Sequence, residues 1–143
     1  MSGPGMGRDL EGGTGALVVP ALLGLAVAGV LELAIFVVVA SVALTTSDLS
    51  VRFGTADTVR MSVAGAAGLG IACAAGAWVC GRRCRVRDIG ARRARRAAVI
   101  TGCLAAALAL LLDMGLALRW ETLPIYLVLV SAGIWLGAVR GSA

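Results

Sequence analysis

The chain contains no histidine, lysine, asparagine or glutamine, and its aromatic residues are limited to three tryptophans, two phenylalanines and one tyrosine. Without histidine it cannot form a His-ligated haem, a His-bearing zinc site or a Ser-His or Cys-His catalytic pair. Charged residues make up only 15% of the chain, against about a quarter in soluble domains. A disordered chain is also excluded, because disorder requires low hydrophobicity and abundant charge.

Hydrophobic residues account for 59% of the 143 residues, and the mean hydropathy is +0.95. Uncharged or nearly uncharged runs long enough to cross a bilayer, which takes roughly 17–25 residues, cover 17–44, 59–80, 97–118 and 123–139. In lipid such runs form helices, because every backbone polar group must find a partner within the chain. The sequence therefore predicts an all-α, four-helix integral membrane bundle over residues 17–140.

The segments outside these runs are short. Residues 1–16 are expected to be a disordered cytoplasmic N-terminus, and residues 81–96 an Arg-rich loop whose last part, 89–96, continues helically into the third helix. Pro20 is expected in the first turn of the first helix, where its missing N–H is harmless. The first run is too long for the apolar region of a signal peptide, and Glu32 interrupts it, so we expect a retained helix.

Every basic residue is arginine, and the distribution of arginine predicts the topology. Eight arginines lie between the second and third runs: Arg82, Arg83, Arg85, Arg87, Arg92, Arg93, Arg95 and Arg96. The positive-inside rule places this segment in the cytoplasm, and four spans then place both termini there as well. The prevalence of residues with GC-rich codons suggests a bacterium, so the expected location is the bacterial plasma (inner) membrane.

The same arginines are candidates for binding anionic lipids or a partner protein, since each basic residue near an anionic membrane surface contributes about 1 kcal/mol. The simplest interpretation is that they only fix the topology. Nucleic-acid binding is not expected, because no aromatic residue lies among the arginines to stack on bases.

Small residues recur at the spacing of one helical face in two runs. In the second run the row is Ala64, Gly68, Ala72 and Gly76, and in the fourth it is Gly133 and Gly137. Such rows let helix backbones approach closely in a membrane. The longer row predicts that the second helix lies at the centre of the bundle.

Two acids lie within the predicted spans. At about 1.5 Å per residue, Glu32 is about 18 Å and Asp113 about 8 Å from the outer side, so the two carboxylates are not expected to form a pair. An intramembrane acid is a functional candidate, for example as the exchange site of a proton-coupled transporter. The alternative is a structural role, with Glu32 hydrogen-bonded to another helix and Asp113 paired with Arg60 or Arg119.

No cofactor or metal site is predicted, since Cys80 and Cys84 without histidine form an incomplete zinc site. The extramembrane segments are too short for a catalytic domain, so the chain is not expected to be an enzyme. The favoured function is an accessory, assembly or structural subunit that binds a membrane-protein partner or itself through small-residue faces and the basic loop. The alternative is a homo-oligomeric proton- or cation-coupled transporter or channel using Glu32. A third class, the membrane-disrupting holins, is compatible with the size of the chain, but no other feature of the sequence favours it.

Overall fold

The computed structural model describes residues 11–46, 55–113 and 122–142, and within these ranges all regular secondary structure is helical. The four helices are α1 (Glu11–Thr46), α2 (Thr55–Val86), α3 (Ala91–Asp113) and α4 (Leu123–Ser142). Each contains a segment long and apolar enough to cross a membrane. The prediction of four such helices is confirmed, and the fold is that expected of a multi-pass membrane protein.

The helices differ from the apolar runs mainly at their ends. α2 continues to Val86, so the prediction of a loop over 81–96 is wrong for its first part. α3 begins at Ala91, in agreement with the helical continuation predicted for 89–96, and only residues 87–90 connect the two helices. Arginine is a good helix former, and charge therefore marks the end of the apolar run without ending the helix. Likewise α1 begins at Glu11, so residues 11–16 are helical rather than disordered. Residues 1–10 and 114–121, which include the predicted end of the third run, lie outside the described residues.

The connection between α2 and α3 is a compact helix-terminating turn. Asp88 adopts a left-handed backbone conformation with φ of 55°. The N–H of Ile89 donates to the carbonyl of Cys84 at 3.1 Å, and that of Asp88 to the carbonyl of Arg85 at 2.9 Å. This pair of hydrogen bonds is the Schellman motif. Ile89 packs against the buried cluster that contains Cys84, which secures the turn with an apolar contact.

The helices form a four-membered bundle in which α2 and α3 each contact the three other helices, while no contact joins α1 to α4 in the described parts of the chain. Gly24 of α1 lies against Gly76 of α2, and Ile35 of α1 against Gly68 of α2, so these helices are antiparallel. The central position predicted for the second helix agrees with these contacts. The start of α1, the turn at 87–90 and the end of α4 meet at one end of the bundle, called here the basic end.

Pro20 lies well inside α1, not in its first turn as predicted. A proline within a helix has no N–H to donate to the carbonyl four residues earlier, which here is that of Ala16. The guanidinium of Arg87 donates to the Ala16 carbonyl oxygen at 3.3 Å. The turn after α2 therefore supplies a donor to the carbonyl that Pro20 leaves without its helical partner, and this contact ties α1 to the basic end.

Candidate functional site

The contact between α2 and α4 is formed by backbones. A Cβ atom at Gly133 would collide with the carbonyl of Gly70, and one at Gly137 with the carbonyl of Ala74. One turn further on, a Cβ atom at Gly141 would lie 2.7 Å from the carbonyl oxygen of Trp78. Three successive turns of these parallel helices thus require glycine on α4. Gly133 and Gly137 were predicted from their spacing, whereas Gly141, which continues the same four-residue spacing, was not.

The contact between α1 and α2 is equally close at one point. A Cβ atom on either Gly24 or Gly76 would lie 2.6 Å from the carbonyl oxygen of the other. In the predicted α2 row, Gly68, Ala72 and Gly76 are buried, whereas Ala64 is exposed. Most of the small residues expected to bind a partner are therefore occupied by contacts within the chain itself.

Thr101 of α3 contacts both α1 and α2 where these two helices meet, and it was not predicted from the sequence. Its hydroxyl donates to the carbonyl of Ala97 at 2.8 Å and lies 3.4 Å from the sulfur of Cys80. A Cβ atom on Gly24 would lie only 2.9 Å from the methyl carbon of Thr101, so this methyl group occupies the space beside Gly24. No cluster of three or more potential metal ligands occurs in residues 11–46, 55–113 and 122–142. The buried cysteines act here as small packing residues.

Glu32, the first candidate of the sequence analysis, lies near the middle of α1 and is partly buried. It lines a cavity of about 360 Å³ between α1, α2 and α3. Among the described residues lining this cavity it is the only ionisable one. The others are Gly29, Leu33, Ile35, Phe36, Gly65, Gly68, Leu69, Ala109 and Leu112.

The glycines around this cavity do not bring backbones together. A Cβ atom at Gly65 would meet the hydroxyl of Tyr126, and one at Gly68 would meet the side chain of Ile35. At Gly29 a Cβ atom would have no heavy atom within 4 Å. The cavity is therefore open beside Gly29 and Glu32, where a carboxyl group in an apolar wall can bind a hydrogen-bond donor or exchange a proton.

The second acidic candidate, Asp113, is the last residue of α3. Its neighbour Leu112 lines the Glu32 cavity, but the side chain of Asp113 is outside the described residues, as is Arg119. The pairing of Asp113 with Arg60 or Arg119 therefore stays a prediction.

The eight predicted arginines do not form one surface. Seven are exposed and Arg95 is partly buried, with its guanidinium 4.3 Å from the centre of the Trp135 ring. The guanidinium of Arg82 lies 5.3 Å from the centre of the Trp78 ring. Both distances are within the range of cation–π interactions. Together with the contact of Arg87 to α1, these interactions divide the arginines among several faces of the basic end.

No protein-family model, curated protein or solved structure matches this chain. The functional candidates on the chain itself are the Glu32 cavity and the arginines of the basic end.

Proposed function

We propose that this chain is a non-enzymatic accessory or assembly subunit of a bacterial plasma membrane, crossing the bilayer four times with both termini in the cytoplasm. The basic end then lies at the cytoplasmic surface, in agreement with the positive-inside rule. The proposal depends on one observation, the open cavity beside Glu32. Its occupant in this proposal is a helix of a partner membrane protein.

Two properties of the cavity suit a partner helix. Helices associate in lipid through close packing at small residues and through interhelical hydrogen bonds. Gly29 leaves room for a close approach, and the carboxyl group of Glu32 can accept a hydrogen bond from a donor on the partner. Such bonds contribute about 1 kcal/mol each, so most of the affinity would come from packing.

The uneven burial of the helices also supports docking at α1. Only 11% of the apolar window of α1 is buried, against 50% for α2. The side chains of Leu33 and Phe36 are exposed at the rim of the cavity. A partner helix placed against α1 would cover these side chains and the cavity together.

A substitution that fills the mouth of the cavity tests the proposal. We expect Gly29→Leu to fold normally, because nothing lies within 4 Å of its Cβ position, but to abolish partner binding. Ala132→Leu, at an exposed position of α4, is the matched control and should retain it. The measurement is quantitative affinity capture from native membranes in mild detergent. The proposal fails if the wild-type chain captures no partner protein, or if the two variants capture equal amounts of the partner.

A proton- or cation-coupled transporter is the second candidate, favoured by the fact that the cavity reaches Glu32. It predicts proton or cation flux in liposomes containing the purified chain alone, and loss of this flux in Glu32→Gln. Absence of flux in the wild-type chain would favour the accessory function.

A further inference from the structure

A second cavity lies at the basic end, between α2 and α4, with a volume of about 420 Å³. It is separate from the Glu32 cavity and shares no lining residue with it. Its lining residues are Trp78, Arg82, Arg85, Val86, Arg140 and Gly141.

The fold brings three arginines from two distant parts of the sequence to this cavity. Arg82 and Arg85 are three residues apart and therefore share one face of α2. Gly141 places its backbone against Trp78, and this contact brings the neighbouring Arg140 to the same face. The topology expected from the sequence places Arg140 on the same side of the membrane as the eight arginines, but not beside Arg82 and Arg85.

The cavity carries a net positive charge. None of its lining residues is acidic. The two parallel helices both end here, and each helix C-terminus contributes about half a negative charge. The three guanidinium groups carry three positive charges and the two helix ends together about one negative charge, so roughly two positive charges remain. Guanidinium groups bind phosphate oxygens with charge-assisted hydrogen bonds, so a phosphate group matches both the charge and the donors.

The apolar surroundings distinguish a lipid phosphate from a free one. Trp78 is 39% exposed, as is typical of a tryptophan at a membrane interface. Ile71, two turns before Trp78 on the same face of α2, is exposed, and so is Leu136, one turn before Arg140 on α4. Acyl chains can follow these side chains away from the basic end while the headgroup stays at the arginines.

We infer that the cavity formed by Trp78, Arg82, Arg85 and Arg140 binds the headgroup phosphate of an anionic phospholipid. Basic pockets between helices at the cytoplasmic surface are suited to such headgroups. The site does not depend on the proposed partner helix, because it lies on α2 and α4 and not on α1.

Fluorescence of Trp78 provides a direct test on the full chain in detergent. The background substitutions Trp120→Phe and Trp135→Phe leave Trp78 as the single tryptophan. The titrants are phosphatidylglycerol and phosphatidylcholine with brominated acyl chains, which quench a nearby tryptophan. We expect phosphatidylglycerol to reach half-maximal quenching at a concentration at least about tenfold lower than phosphatidylcholine does. A tenfold difference corresponds to 1.4 kcal/mol, which the attraction of three arginines to the anionic headgroup can supply.

Two triple variants separate a defined site from general surface charge. Changing Arg82, Arg85 and Arg140 to glutamine should remove the preference for phosphatidylglycerol. Changing Arg83, Arg92 and Arg93 to glutamine removes the same charge from exposed positions outside the cavity and should leave most of the preference. Circular dichroism checks that both remain folded.

Three results would overturn the inference. These are equal quenching by the two lipids in wild type, equal losses in the two triple variants, and displacement of the lipid by inorganic phosphate at an equal concentration. The last result would indicate a site for free anions rather than for lipid.

Discussion

Two regions of the bundle use small residues in opposite ways. Along the contact of α2 with α4, and where α1 meets α2 near the basic end, glycines allow helix backbones to touch; they are Gly24, Gly76, Gly133, Gly137 and Gly141. Around the Glu32 cavity, glycines and an alanine line open space, and Gly29 faces no neighbouring atom. The same residue type thus closes one region and leaves the other open. A small residue in a membrane helix indicates a close approach only if the neighbouring backbone is placed to use it.

The largest expected effect contrasts one glycine from each region. Gly137→Ala places a methyl group into the carbonyl of Ala74, so α4 has to move away from α2. We expect destabilisation by about 3 kcal/mol, the upper part of the range for overpacking. Gly29→Ala should be neutral or stabilising by up to about 1 kcal/mol, because alanine is the better helix former.

Reversible unfolding in mixed detergent micelles measures both variants on one scale. Similar unfolding free energies for Gly137→Ala and Gly29→Ala would show that the two regions do not differ in packing.

A second, smaller contrast uses alanines. Ala98 is fully buried in the cluster with Ala77 and Ala138. Ala109 is also buried, in the cluster with Leu69 and Ala105, but it borders the Glu32 cavity. Ala98→Val should destabilise by about 1–2 kcal/mol through overpacking. Ala109→Val should destabilise by less, about 1 kcal/mol or under, because part of the added volume enters the cavity. Thermal unfolding compares the two variants, and a larger loss at Ala109 would contradict the openness of the cavity.

The smallest expected effect concerns the contact of Arg87 with α1. We expect Arg87→Gln to destabilise by about 1 kcal/mol, the usual contribution of a hydrogen bond. In a Pro20→Ala background the loss should shrink, because residue 20 then donates its own N–H to Ala16. A double-mutant cycle measures this coupling. Additive effects would mean that Arg87 does not compensate for the proline.

The sequence predicts the elements of this fold much better than their contacts. Four apolar runs suffice to predict four helices, because in lipid a single apolar segment can hydrogen-bond all of its backbone polar groups only as a helix. The extension of α2 to Val86 was missed because arginines end the apolar pattern and not the helix, whereas the helical continuation of 89–96 into α3 was predicted. The Schellman turn at Asp88 has no glycine to indicate it.

The sites show the same limit. Glu32 could be identified as unusual from its position alone, since a charged residue in an apolar run is rare. The cavity beside it could not, because it depends on which helix faces Gly29, Gly65 and Gly68. The convergence of Arg140 with Arg82 likewise depends on the parallel packing of α4 on α2. These arrangements arise from contacts between residues far apart in the chain.

Site-specific photo-crosslinking in the native membrane tests the proposed function most directly. A photoreactive residue is placed at Leu33, on the rim of the Glu32 cavity, or at Leu127, exposed on α4. The account predicts one discrete crosslinked protein from position 33, lost when Gly29 is replaced by leucine, and no such product from position 127. Crosslinking to lipid alone from both positions, or the same protein from both, would contradict a partner helix at the cavity.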